Sequence, residues 1–402
     1  MVTALACAIV ISRRVDAFTS AQFYAEDGSK WFSDAYAHGP LGALLLSYNG
    51  YFQLISRLGP VVAAPFNILY APLIYNIIGL LVQVAPVAFL LSSRFDTVVP
   101  SLRARLAICA VYVLMPSTEL NVDITTAQFH LLVLAVLVIV APEPRRWYWT
   151  AFDVMVVVLC GLSGPFAYVL APVAALWFIV RRRRFTLVLL TLLVAAIPIQ
   201  LYAGLTSPRP HAALGASVHN LILIISDRII LAGSFAEEGG THVVLANTSH
   251  GALLGAVICV LALPIVVLAA LRAPWELRIF GLTALGIAAS GLASPLVSGH
   301  DAWAMLIVSR AGERYFLLAQ VAWVVTVVWA ACRLPRTWMT QAAWAVCAVA
   351  FASGLITAWG YPPFPDYHWA QEARSITTAS PGTRLQLPIP PGGGWSIYVT
   401  VK

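Results

Sequence analysis

The chain has 402 residues, of which 60% are apolar and 10% charged, with a formal net charge of +7 and a mean hydropathy of +0.84. Soluble domains are about half apolar and about a quarter charged, so this composition excludes an ordinary water-soluble fold and calls for lipid as a solvent. The basic residues sit in short clusters between apolar runs rather than on one face or arm, which argues against nucleic acid as a partner and for a membrane protein setting its orientation.

Met1 to Ile11 is apolar but about half as long as the ~20 residues a span needs. It lacks a basic n-region, so it reads as the remnant of a first span rather than a signal peptide. Residues 13–70 form a long mixed segment, charged first and then rich in aromatics, Gly and Pro. Within it, Lys30–Ala37 and Gly50–Val62 read as short amphipathic helices lying along the membrane interface. Apolar runs follow at about 72–92, 105–116, 126–141, 149–162, 166–180, 185–204, 251–271, 278–297, 314–332 and 338–358. The fold expected is an all-α polytopic membrane protein of about 10–11 transmembrane helices. Residues 218–233 carry Asp227 and Arg228 and read as a re-entrant or interfacial helix rather than a span. In the tail, Leu385-Gln386-Leu387 and Ile397-Tyr398-Val399 alternate like short strands, which suggests a small β-hairpin. No soluble domain of ~100 residues fits anywhere. The chain divides into an integral membrane domain, 1–358, and an extracytoplasmic tail, 359–402.

Alternate loops collect the arginines. Arg94, Arg103, Arg105, Arg145, Arg146, Arg181 to Arg184, Arg272, Arg278, Arg333 and Arg336 would face one side, with only Asp96, Glu143, Asp153 and Glu276 among them. By the positive-inside rule that side is cytoplasmic. The long segments 13–70, 205–250 and 298–313 and the tail then face outward, and irregular polar chain of that length is where function belongs.

The six cysteines lie in or beside apolar runs with no CxxC pair, so neither a disulfide framework nor a zinc site follows. Phosphate-loop, zinc-protease and nucleophile-elbow patterns are not found. Phe23-Tyr24-Ala25-Glu26-Asp27-Gly28 is the first outward stretch with chemistry in it. A carboxylate near the lipid boundary is partly desolvated, which raises its pKa toward the range of a general base. The plainer reading is that Asp27 caps a helix beginning at Gly28. Arg57, Arg310 and Arg314 are candidates for gripping phosphate, because the guanidinium fork donates two hydrogen bonds at once. The alternative for each is a side chain snorkelling to lipid headgroups. Gln128 and His130 open a span on the outward side, where a satisfied structural role competes with binding. Glu119 and Asp123 read as solvated residues of the turn before that span. Glu237-Glu238-Gly239-Gly240-Thr241-His242 reads as a solvated loop or lid that could also take a sugar or a divalent ion.

A short first span, an acidic pair in the first outer loop, interfacial helices and many further spans resemble the GT-C polytopic glycosyltransferases. Several stretches are similar to an uncharacterised bacterial GT-C-like membrane family: Phe23–Gly28, Tyr48-Asn49-Gly50-Tyr51 with Arg57-Leu58, and Thr126-Ala127-Gln128-Phe129-His130. Gly161-Leu162-Ser163-Gly164-Pro165-Phe166, Gly312-Glu313-Arg314-Tyr315-Phe316 and the tail's Pro381-Gly382-Thr383 and Pro388-Ile389-Pro390 continue the likeness. The resemblance implies transfer of a sugar from a polyprenyl-phosphate donor to a glycan or lipid acceptor, on the outer face of the bacterial cytoplasmic membrane. It implies Asp27 as catalytic base with Glu26 second, and Arg57, His130, Gln128, Arg310, Arg314 and Tyr51 toward substrate and phosphate. Membrane lipids are the expected surroundings. No cofactor is called for, and the sequence does not support a divalent cation. A non-enzymatic transporter or flippase of a lipid-linked sugar is the alternative. It expects mid-span charges and repeated halves, and the apolar runs show neither clearly.

Overall fold

The structure, a computed structural model, describes residues 2–207, 209, 212–237, 245–246, 248–297, 301–308 and 312–402. It is mostly helical. The main helices are α1 (Val2–Arg13), α2 (Leu54–Ala63), α3 (Ala71–Leu90), α4 (Leu102–Leu114), α5 (Ala127–Val140), α6 (Trp147–Gly161), α7 (Phe166–Arg181), α8 (Arg184–Thr206), α9 (Val218–Phe235), α10 (Gly251–Arg272), α11 (Trp275–Ala293), α12 (Leu317–Ala331), α13 (Thr337–Thr357) and α14 (Trp369–Thr378). Ten of them match the apolar runs to within a few residues, because a chain in hydrocarbon must satisfy its backbone within each segment.

Six helices among the described residues are long and apolar enough to cross a membrane: 68–90, α8, α9, α10, α11 and α13. That is fewer than the 10–11 expected from the sequence. The apolar runs are there, but α5, α6, α7 and α12 stop at 14 to 16 residues. At 1.5 Å per residue such helices cover roughly 21–24 Å of a core about 30 Å thick. The 218–233 run also differs from expectation. It forms one helix with its neighbours, α9, whose middle, Ile224–Leu231, is π-helical.

α5 is the axis of the bundle, with 13 of its 14 residues buried, as befits a helix that is apolar all round. α3, α6, α7 and α11 pack around it. α10 and α13 are peripheral, with 11% and 6% of their apolar stretches buried against protein.

The two ends of the bundle differ. At one, arginines tie short loops together. Arg94 holds Asp153 at 2.8 Å and the carbonyl of Pro142, Arg105 pairs with Asp96, Arg183 donates to the carbonyl of Ala141, and Arg181 pairs with Glu276. The other end gathers the segment 14–70, the turn 115–126 and the tail. Here Lys30–Ala37 coincides with helical turns over 27–38, and Gly50–Val62 contains α2. The tail forms the hairpin β1 (Arg384–Pro388) and β2 (Ser396–Thr400), antiparallel with Leu385 opposite Val399 and Leu387 opposite Ile397. The tail does not hang free. Trp369 packs edge-on against Phe23 and Phe32, and Ile389 and Ile397 press on Gly28, where a Cβ would lie 2.9 and 2.8 Å from their side chains. Tail and first loop share one apolar cluster.

Candidate functional site

Two loops from opposite sides of α3 build the site. The first runs through Ala25, which has a φ of 44°, before Glu26 and Asp27. The second runs through Val122, with a φ of 58°, before Asp123. A β-branched residue in the left-handed region is strained, at a cost of order 1–3 kcal/mol, and surrounding contacts must enforce it. Gln83 of α3 does so. Its side chain accepts from the amide of Val122 at 3.0 Å and donates to Asn121 at 3.3 Å. Gly79, one turn earlier, lets the loop lie on the helix, since a Cβ there would sit 2.9 Å from the amide nitrogen of Asp123. Ala25 is held by the tail, its amide donating to the carbonyl of Pro390 at 2.8 Å.

Thr125 joins the two loops. Its hydroxyl donates to Asp27 Oδ1 at 2.6 Å and accepts from Trp31 Nε1 at 2.8 Å, and its amide donates to Asp123 Oδ1 at 2.9 Å. Thr126 donates to the other oxygen of Asp123 at 2.9 Å. The carboxyls of Asp27 and Asp123 are themselves hydrogen-bonded to each other. Asp27 is 1% exposed and Asp123 7%. Burial pushes both up, and the charge of Asp123 pushes Asp27 further, well above the carboxylate range. Asp123 is raised to about 7, because burial outweighs the hydrogen bonds from Thr125, Thr126 and Asp27. Two buried carboxyls this close share a proton rather than both ionise.

Asp123 and Glu119 line a small open cleft of about 20 Å³ between the segment 14–24, the turn 118–123 and Phe364 of the tail. Arg14 is buried in its wall, with the guanidinium 4.0 Å over the ring of Phe364. Tyr24 also stacks on that ring, at 4.8 Å. Glu119 accepts from the backbone and guanidinium of Arg314, the latter at 2.5 Å. Burial works against the charge of Arg314, yet Glu119 and the neighbouring Tyr315 keep it firmly cationic.

The sequence candidates fall into three groups. Asp27 is in the buried pair and caps no helix, while Glu26, at the N-cap position, makes no side-chain cap bond. Glu26 is half-buried, its carboxyl raised by burial and eased by Arg314. Tyr51 belongs with them. It sits on a tight turn bridged to Tyr48, and its hydroxyl, raised chiefly by burial, feels Arg314, Arg209 and Glu26. Arg57 and His130 are occupied elsewhere, and Gln128 is buried with its side-chain oxygen unpartnered. Arg57 pairs with Asp34 at 2.7 Å and lies over Trp31. His130 is fixed inside α5 between the Tyr112 hydroxyl at 2.7 Å and the Leu120 carbonyl at 3.0 Å. Gln128 is 3% exposed, against Gly164. Arg310 and Glu238–His242 lie outside the described residues.

The solvated reading of Glu119 and Asp123 is corrected by their burial and partners. From the sequence, Asp123 has no role beyond that turn, and Arg14 and Thr125 have no functional role. The available signal was Gly79 and Gln83, a glycine and an amide four residues apart on one face of an apolar helix. Among the described residues no group of three or more His, Cys, Asp or Glu is placed to hold a metal ion. No family model, curated protein or solved structure matches the chain.

Proposed function

We propose that the chain is a membrane glycosyltransferase that moves a sugar from a polyprenyl-phosphate donor to a hydroxyl of a glycan or lipid acceptor. In this reading the arginine-tied end faces the cytoplasm, and the cleft opens outside the bacterial cytoplasmic membrane. The shorter apolar helices α5, α6, α7 and α12 also cross, giving ten spans with the six long ones. The observation that carries the proposal is the proton-sharing pair at the wall of a polar cleft. Asp123 is raised to about 7, where a general base both ionises and accepts a proton effectively.

The sequence put the base at Asp27. Asp123 suits that role better, because it reaches the cleft while Asp27 is enclosed behind it. The acceptor hydroxyl attacks the anomeric carbon as its proton passes to Asp123. The new glycosidic bond forms on the face opposite the breaking carbon–oxygen bond, and the polyprenyl phosphate departs. Asp27, already protonated, steadies Asp123 and positions it. Arg14 supplies positive charge toward the leaving phosphate. Glu26, Tyr51 and Arg314 form a second polar patch suited to the rest of the substrate.

The second reading, a carrier or flippase of a lipid-linked sugar, draws on Asp227, a carboxylate buried within α9. Proteoliposomes loaded with labelled polyprenyl-phosphate sugars and an envelope extract separate the two. A labelled covalent product supports transfer, whereas relocation of intact donor without product supports carriage and rules transfer out.

A further inference from the structure

Asp227 lies in the π-helical middle of α9, a helix long and apolar enough to cross a membrane. It is fully buried, and neither of its carboxyl oxygens meets a hydrogen-bond partner among the described residues. Among the described residues, no element packed against it supplies one. On α9 itself, Arg228 is the next residue and its charge acts on Asp227, but it gives neither carboxyl oxygen a hydrogen bond, and its guanidinium lies 5.3 Å over the ring of Phe316. α10 brings Cys259 within electrostatic reach, and its Gly255 packs on Ser226, whose hydroxyl is bonded to the backbone of its own turn. α12 brings Gln320, whose amide is spent on the carbonyl of Arg228 at 2.8 Å. The helix Ala302–Val308 carries no charged side chain.

A carboxylate buried with neither oxygen hydrogen-bonded is costly, and the charge of Arg228 alone does not satisfy those oxygens. A proton on the carboxylate removes that cost. No group of three or more His, Cys, Asp or Glu converges among the described residues, so the shell of oxygens a metal ion requires is not assembled there. We propose that Asp227 is an intramembrane cation site whose ligand is a proton, and that loading it keeps the π-helical segment packed between α10 and α12. The inference rests on neither reading of the cleft. π-helical turns and ionisable residues within spans both concentrate at functional sites, and here they coincide.

The test uses the full chain in lipid nanodiscs. Infrared difference spectra of the wild type minus Asp227→Asn are expected to show one protonated-carboxyl band at neutral pH. Replacing sodium by choline at constant pH should leave that band unchanged. Backbone hydrogen exchange of residues 218–235, corrected for its intrinsic pH dependence, should accelerate in the wild type on an alkaline step and stay constant in Asp227→Asn. The wild-type exchange does not need the variant, so a misfolded Asn protein leaves the proposal exposed to test. No protonated band at neutral pH, a band displaced by sodium, or wild-type exchange indifferent to the alkaline step each overturns it.

Discussion

Asp27 and Asp123 come from loops on either side of a long helix, yet their carboxyls are hydrogen-bonded to each other and to a shared threonine. Two acids so close cannot both ionise without strong repulsion, so one keeps its proton and the other acts as its base. The enclosure of Asp27 and the lining position of Asp123 decide which does which.

That division gives a pH dependence. Transfer should rise as pH climbs through about 7, where Asp123 loses its proton, and level off above. Stability should run the other way. A carboxyl raised above its unfolded value of about 3.9 favours the folded state while protonated, and that contribution disappears as pH rises through about 7. Melting temperatures between those limits should therefore fall with pH in the wild type and less in Asp123→Asn. A wild-type profile as flat as the variant's would show that Asp123 titrates normally.

Thr125→Val strips the hydroxyl from between Trp31 and Asp27 while preserving shape. It leaves a fully buried indole N–H and a buried carboxyl short of a partner, at about 1–3 kcal/mol. Chemical denaturation in detergent should register that loss, with reduced transfer. Thr125→Ser keeps the hydroxyl and should recover most of both.

Gly79→Ala is the sharpest probe of the helix–loop approach. The added methyl would lie 2.9 Å from the Asp123 amide nitrogen and 3.0 Å from its carbonyl carbon. Backbone cannot yield as a flexible side chain does, so about 1–3 kcal/mol of overpacking is expected, along with displacement of Asp123 and loss of transfer. Gly281→Ala, where nothing lies within 4 Å, is the control and should be silent. Equal behaviour of the two variants would show that the loop does not rest on α3.

Glu119→Gln leaves Arg314 without its carboxylate in a pair whose side chains are only 16% and 19% exposed. Removing one partner of a buried pair costs about 3–5 kcal/mol, and the residual solvent contact reduces this to about 2 kcal/mol. The double variant Glu119→Gln/Arg314→Gln should recover part of the loss, as a thermal-melt double-mutant cycle would show. Additive losses would mean that the pair carries no coupling.

The helices were legible because a long apolar run in lipid has one backbone solution, and the hairpin was legible from the alternation of 385–387 and 397–399. Span lengths were less so. α5, α6 and α7 end within a residue or two of the runs the sequence shows, but at 14 to 16 residues they fall short of the length a straight span needs. The acidic pair at 26–27 stood out by its contrast with apolar surroundings. Asp123 did not, because nothing local distinguishes a solvated turn from one pinned by a glycine and a glutamine of α3, a helix further back in the chain. The occupied states of Arg57 and His130 were equally hidden, since Asp34, Trp31 and Tyr112 meet them only through the tertiary fold.

The most direct measurement is sugar transfer from labelled polyprenyl-phosphate donors by reconstituted wild-type protein and by Asp123→Asn of matched melting temperature. Loss of a general base should lower the rate by roughly 10²–10⁴-fold. Transfer at the wild-type rate by Asp123→Asn would contradict the role given to the Asp27–Asp123 pair.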